Sequence, residues 1–259
     1  MKFNNRDVII SERAQIGANV RIGDRTIIYD NVRIGDNSII SNDCILGEPL
    51  SDYYHREDYI NPPTVIGEGS LIRSHAIIYA DSEFGAGMSL GHRVTIREKV
   101  TAGSGLSIGT LSDIQGHCTF GEYNRLHSNV HIGQASTLGD FVFIYPYVVL
   151  TNDPHPPSNL LMGCSIGHFS QIAVHSVLLP GVKVGQGCLI GANSTVNKDV
   201  ADGMLAVGSP AKEICPVNQI PSKEEGVAHH YPWMNNFDRG MPWSGQDFDQ
   251  WKSDNGYDV

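Results

Sequence analysis

Three histidines, two arginines and an Asn-Asp pair are the residues of this chain placed to do chemistry. Imidazole gains and loses a proton near neutral pH, so it can act as a base or steer a polar group. His117, His127 and His131 all lie off the apolar positions of a six-residue repeat, described next. His127 is the most conspicuous. It occupies a turn position that holds Gly109 and Gly91 one and two coils earlier, so it projects an imidazole from a corner otherwise shaped for glycine. Tyr145 does the same one coil later, while Arg73 shares the column, as a surface residue tolerated at a turn would. Asn152 and Asp153 open a Pro-rich segment in which a polar side chain can fix an amine or a hydroxyl, or simply form the turn. Arg93 and Arg97 offer charge-assisted donors to an anion such as pyrophosphate.

The repeat that must position these side chains is legible from Ile66 to Leu150. Every sixth residue there is apolar: Ile66, Ile72, Ile78, Phe84 and so on through Ile132, Leu138, Ile144 and Leu150. Four residues after each comes a small or medium one, and glycine often follows the apolar residue directly, as at 67, 85, 91 and 109. A period of six fits neither a helix of 3.6 residues per turn nor a plain two-residue alternation. It fits short strands joined by tight turns, with glycine expected where the turn needs positive φ. The register begins near Ile10, breaks for about fourteen residues after Leu46, breaks again at the prolines after Leu150 and ends near Val196. That gives an all-β parallel solenoid of about nine coils, with three strands per coil and coils about 4.8 Å apart. The expected domains are residues 1–214, with inserted loops 48–63 and 151–165, and an extension, 215–259, that packs on the coils or on a neighbouring subunit. The extension holds all three tryptophans.

Composition narrows the function class. At 41% hydrophobic residues the chain is globular, and its net charge of −10 argues against a general nucleic-acid or membrane-surface binder. The N-terminal residues have no apolar core of a signal sequence and no membrane-length apolar run follows, so a cytoplasmic protein without membrane insertion is expected. The five cysteines lack metal or redox spacing; Cys44, Cys118 and Cys188 fall on the small inward position, whereas Cys164 and Cys215 lie off the repeat.

The sixfold register with glycine after the apolar residue resembles the left-handed parallel β-helix of the hexapeptide-repeat acyltransferases. Periodicity alone leaves the handedness open; the left-handed sense is what the resemblance implies. Val207-Gly208-Ser209-Pro210-Ala211-Lys212 is similar to the closing motif of the acetyl-CoA-dependent members, and Ile190 to Val200 looks like their coenzyme A-binding coils. Asn124 to Gly133, taken with Leu150 to Pro157, resembles bacterial N-acyltransferases of nucleotide-linked amino sugars used in surface polysaccharides such as O-antigen.

The resemblance implies an acyl-CoA-dependent N-acetyltransferase that works as a homotrimer with sites between subunits, with acetyl-CoA as co-substrate and no metal. Acyl transfer to an amine needs a neutral amine aligned with the thioester carbonyl and a group to take its proton. His127 and Asn152 are the expected catalytic residues, although in some members the amine attacks unaided. His117, His131, Asp153, Tyr145, Arg93 and Arg97 are the expected substrate contacts. Ala173, Gly191 and Ala192 would let a pantetheine arm approach the backbone, and Lys198, Pro210 and Lys212 would meet coenzyme A. Three rivals stand beside this reading: O-acetylation of a sugar or other small hydroxyl acceptor, a non-catalytic binding scaffold, and a zinc hydratase on the same scaffold. The last suffers because His92 is one residue off the column of His127, and tetrahedral zinc tolerates little misplacement.

Overall fold

The computed structural model of the chain describes residues 3–257. Short strands, mostly two residues long, stack into three sheets that form the faces of a triangular prism. Face one contains Ile9–Ile10, Ile27–Ile28 and their successors to Thr195–Val196; face two runs from Gln15–Ile16 to Lys183–Val184; face three runs from Arg21–Ile22 to Leu189–Ile190. Every third strand pairs in parallel with the next, so Ile78, Ile96, Ile114, Ile132, Leu150 and Leu178 stand one above another. Nine complete coils are followed by Met204–Gly208, which continues face three and turns back against Ala211–Pro216. The fold is a left-handed parallel β-helix.

The apolar residue of each hexad points inward, and the column from Ile28 to Val196 forms one continuous core. The backbone satisfies itself between coils: Arg97 N donates to Ile114 O at 2.9 Å, and Gln115 N donates to Ile132 O at 2.9 Å. Small inward residues close the corners. Ser112 Oγ donates to His127 O at 2.9 Å and accepts from Val130 N at 3.2 Å.

Two local expectations need correction. The glycine after the apolar residue does not supply positive φ. That backbone state falls two residues later, at positions such as Asn37, Arg93, His117, Asn129 and Phe141. Glycine is needed two residues earlier because the next coil passes so close: a Cβ on Gly109 would lie 2.4 Å from Ser128 N. Cys164 is also on the repeat after all. The second insertion shifts the count, but Cys164 O accepts from Thr137 N like any ladder residue, and burial pushes its thiol up to about 12.

The two insertions leave the prism at the same corner, between faces one and two, from the coils of Leu46 and Leu150. The first is tied down by buried Asn61, whose Nδ2 donates to Gly47 O at 2.9 Å and Asp30 O at 3.2 Å. The C-terminal segment lies along the side of the prism. Trp233, Met234, Met241, Trp243, Phe248 and Trp251 cluster with Phe141, Phe143 and Phe169. Its helix, Phe248–Asn255, is capped by Asp247, which accepts from Gln250 N at 3.0 Å, and closes on Gly256 in the left-handed conformation.

Ile114 is fully buried in the middle of its column. Ile114→Asp should therefore cost roughly 3 kcal/mol or more, as expected for an unpaired buried carboxylate, and a large part of a domain's total stability. A circular-dichroism melt matching the wild type would show that this residue does not face the core.

Candidate functional site

The expected site residues divide among three places. The first is the corner between faces three and one. The Ser112 hydroxyl holds the His127 carbonyl from below, and His127 N donates to Ile144 O at 2.8 Å in the coil above. The side chain is thereby fixed directly under Tyr145, and the two rings stack 4.8 Å apart at 13°. Arg125, two residues earlier on face three, flanks them, and Arg239 and Phe237 from the C-terminal segment close a cavity of about 330 Å³. Burial, with the Arg125 charge adding to it, holds the His127 imidazole below the usual histidine range, so its neutral form prevails at pH 7. Arg93 projects from this corner two coils earlier and is not among the residues lining the cavity.

The second place is face one itself. His131 Nδ1 lies 3.0 Å from Asp113 Oδ2, and Gln115 Nε2 donates to the same oxygen at 2.7 Å. Asp113 is the partner of His131 that sequence reasoning missed. Its signal was available: Asp113 and His131 hold the same outward position on successive coils, where parallel register places them side by side. A carboxylate on Nδ1 fixes the orientation of the ring. The hydrogen bond from His131 holds the Asp113 carboxyl below the ordinary carboxylate range against the opposing effect of burial.

The third place is the corner between faces one and two. Arg97 and His117 line a cavity of about 580 Å³ beneath the first inserted loop, together with Tyr59, Tyr79 and Lys99. Arg97 is already engaged: Glu98 accepts from its Nε at 2.8 Å, and its guanidinium lies 5.3 Å from the Tyr79 ring centre. Higher on the same corner, Asn152 packs over Gly133 and its carbonyl accepts from Met162 N at 2.7 Å. Asp153 spends its oxygens closing the loop, accepting from His155 N, Ser158 N and Ser158 Oγ. These bonds hold its carboxyl below the usual range. His127 and Asn152 thus stand on different edges of the prism, and a single chain does not bring them together.

The residues expected at coenzyme A lie at the far end. Lys212 is exposed in the closing hairpin beside the cis Ser209–Pro210 bond, where Ser209 Oγ donates to Thr195 Oγ1 at 2.9 Å. Lys198 and Ala192 are exposed, and Ala173 is half-buried in the column of His127. Gly191 has a packing reason as well, because a Cβ there would sit 2.4 Å from Val207 Cγ1. Among the described residues no group of three or more His, Cys, Asp or Glu side chains is arranged to hold a metal ion. No helix among them is long and apolar enough to cross a membrane.

The repeat described as Bacterial transferase hexapeptide (six repeats) matches residues 13–48 and 163–198. These two stretches carry the bacterial transferase hexapeptide repeat, and the chain is similar to the hexapeptide-repeat acyltransferases. It is 30% identical over 188 residues to the bifunctional protein GlmU of Synechococcus sp. (strain CC9605), which covers 64% of this chain and 40% of that one. It is 33% identical over 118 residues to the galactoside O-acetyltransferase of Escherichia coli (strain K12), covering 37% of this chain and 58% of that one. The matched part of the chain therefore spans less than two thirds of the length of these relatives. Among solved structures, a UDP-N-acetylglucosamine acyltransferase from Arabidopsis superposes with a TM-score of 0.54, covering 97% of this chain and 80% of that one at 15% identity. Its counterpart from Bacteroides fragilis 9343 gives 0.50, covering 83% and 74% at 17% identity. At those identities the likeness is one of fold.

Asp113 is held ionised by His131, so its share of stability is present at neutral pH and is lost as the pH falls through its lowered value. Asp113→Asn should lower stability at pH 7 by no more than about 1 kcal/mol, both groups being partly exposed. The gap between the two melting curves should narrow on acidification. A gap independent of pH would show that the pair adds no charge-dependent stability.

Proposed function

We propose that this chain transfers an acyl group, most simply acetyl, from acyl-coenzyme A to the amino group of a nucleotide-linked deoxyamino sugar, as a homotrimer with its sites between subunits. The observation that carries the reading is the His127 corner: a neutral, ring-stacked imidazole beside a cavity lined by two guanidinium groups. The resemblance of Asn124 to Gly133 and of Leu150 to Pro157 to N-acyltransferases of nucleotide-linked amino sugars supports a nucleotide-sugar acceptor. The split of His127 and Asn152 between two edges supports a site completed by a second chain, since one corner of one prism cannot offer both.

In this reading the neutral amine attacks the thioester carbonyl carbon. The nitrogen–carbon bond forms, the carbon–sulfur bond breaks, and the surplus proton on nitrogen passes to His127 and on to the departing thiolate. An amide and a free thiol result. Tyr145 keeps the imidazole upright, and His131, oriented by Asp113, supplies a second polar contact on face one. Lys212 at the closing hairpin meets the phosphates of coenzyme A. The second reading, O-acetylation, is favoured by the match to galactoside O-acetyltransferase; the same imidazole would then take a hydroxyl proton.

The deciding experiment is thiol release from acetyl-CoA with a panel of nucleotide-linked 3- and 4-amino sugars, with a free galactoside as the hydroxyl arm. Release that depends on one amino sugar supports the proposal. Release with the galactoside alone replaces it by O-acetylation, and silence with no coenzyme A binding leaves a scaffold. His127→Ala should lower kcat about 10²- to 10⁴-fold; an unchanged rate would mean that the thiolate takes the proton unaided. Because protonation removes the base and the His127 pKa is lowered, the acid limb of kcat/KM should lie below the usual histidine value of about 6.5.

A separate check concerns the donor. Lys212→Ala should weaken coenzyme A binding, with the larger loss at low ionic strength, where a surface charge is least screened. Calorimetric titration at two salt concentrations reads this directly, and an unaltered affinity at both excludes Lys212 from the donor site.

A further inference from the structure

The C-terminal segment does more than cover apolar rings, because it carries a second guanidinium to the cavity at the His127 corner. Arg125 projects from face three with its guanidinium 5.7 Å from the ring centres of both Phe143 and Phe237. Its Nη2 donates to Arg239 O at 2.8 Å and Gly240 O at 3.0 Å. The turn is shaped around that group: Gly240 has φ +68°, and a Cβ there would lie 2.6 Å from Arg125 Nη2. Arg239 reaches the same cavity, its guanidinium 5.7 Å from the Phe237 ring centre.

What singles out this pair is that two guanidinium groups line one cavity without a counter-charge. The chain, at net charge −10, pairs several other arginines, Arg25 with Asp43, Arg56 with Asp52 and Asp58, Arg97 with Glu98. Arg21, Arg33, Arg73 and Arg93 are not paired among the described residues either, but none of them lines this cavity. Among the described residues Arg125 and Arg239 make no ion pair, and no carboxylate lines their cavity. Burial, with the Arg239 charge adding to it, makes the Arg125 charge costlier to hold. With Nη2 bound to the two carbonyls, the Nε and Nη1 donors of Arg125 are left for another acceptor. Like charges turned into one aromatic-lined cavity are stabilised by an anion with several oxygens, and a guanidinium fork suits phosphate.

We propose that this cavity binds the diphosphate of a nucleoside 5′-diphosphate group, held between Arg125 and Arg239, with the heterocycle against the neighbouring rings. The C-terminal segment is thus part of a ligand site, completing it with Arg239 and Phe237. The inference rests on the acyl-transfer reading only for the origin of the ligand. Two sources share the chemistry, the nucleotide sugar and the adenine nucleotide end of coenzyme A.

The test is calorimetric titration of the full chain at low salt with UDP, dTDP and 3′-phosphoadenosine 5′-diphosphate, none of which needs turnover. At least one should bind, with an affinity that falls as salt rises. Arg239→Gln, at an exposed position, should weaken that binding about tenfold or more, and Arg239→Lys less, because the charge survives without the fork. Arg125→Gln should act in the same direction; should it loosen the tail, the Arg239 pair still decides. Binding of UDP or dTDP assigns the site to the acceptor, and binding of the adenine nucleotide assigns it to the donor. Absence of binding by all three, or Arg239→Gln titrating like the wild type, overturns the proposal. Thiol-release failure with Arg239-dependent binding intact would count against the acyl-transfer reading alone.

Discussion

The hydrogen bonding of each coil to the next is the constraint on which everything else in this molecule depends. With parallel strands in strict register, every side chain stands over the one a full coil earlier, so whatever is placed at one position must be compatible with its column. Inward columns accept only apolar or small residues, hence the uninterrupted core. At the corners the backbone of the next coil comes close enough to exclude a Cβ at Gly109. The same rule produces the side-chain contacts at the candidate site. The His127–Tyr145 stack and the His131–Asp113 bond are column neighbours, brought together by register rather than by a long-range fold.

One corner carries strain, and the tail explains how it is tolerated. Tyr123, Phe141 and Phe169 occupy turn positions with φ of 53°, 58° and 60°, where other coils place Asn37, Gly69 or Gly87. A bulky residue in the left-handed region costs about 1–2 kcal/mol. Burying an aromatic side chain gains roughly 1.5–3 kcal/mol. The three rings stack on one another, at 5.4 Å and 4.9 Å between centres, and Trp243, Trp251 and Tyr257 pack against Phe141. Burial outweighs strain only while the tail is in place, so this aromatic column and the C-terminal segment are energetically one unit.

Much of this was legible in the sequence, because a one-dimensional fold writes its pattern along the chain. The hexad gave the faces, the core and the two points where loops leave the prism. What it obscured were effects across columns. Glycine after the apolar residue looked like a conformational requirement and is a matter of clearance between coils; the left-handed position two residues later was masked by its mixture of Asn, Arg, His and Phe. Cys164 was misplaced because an insertion resets the count. Asp113 escaped notice beside His131 because the two are far apart in sequence and adjacent only in register. Arg125 and Arg239 could not be paired at all, since the tail follows no repeat and its docking against Phe143 and Phe169 is tertiary.

The division between columns and appendages also explains where chemistry can reside. Inward positions are committed to the core and strand positions to the ladder, which leaves outward strand residues and corners free to vary. A corner offers a narrow strip of side chains with little depth, too shallow to enclose a ligand. Depth comes from what leaves the repeat: the first loop roofs the cavity over Arg97 and His117, and the tail walls the cavity beside His127. The prism thus fixes the rigid half of each candidate site while the irregular segments supply the other half. Variation in loops and tail can therefore change what is bound while leaving the ladder that holds His127 untouched.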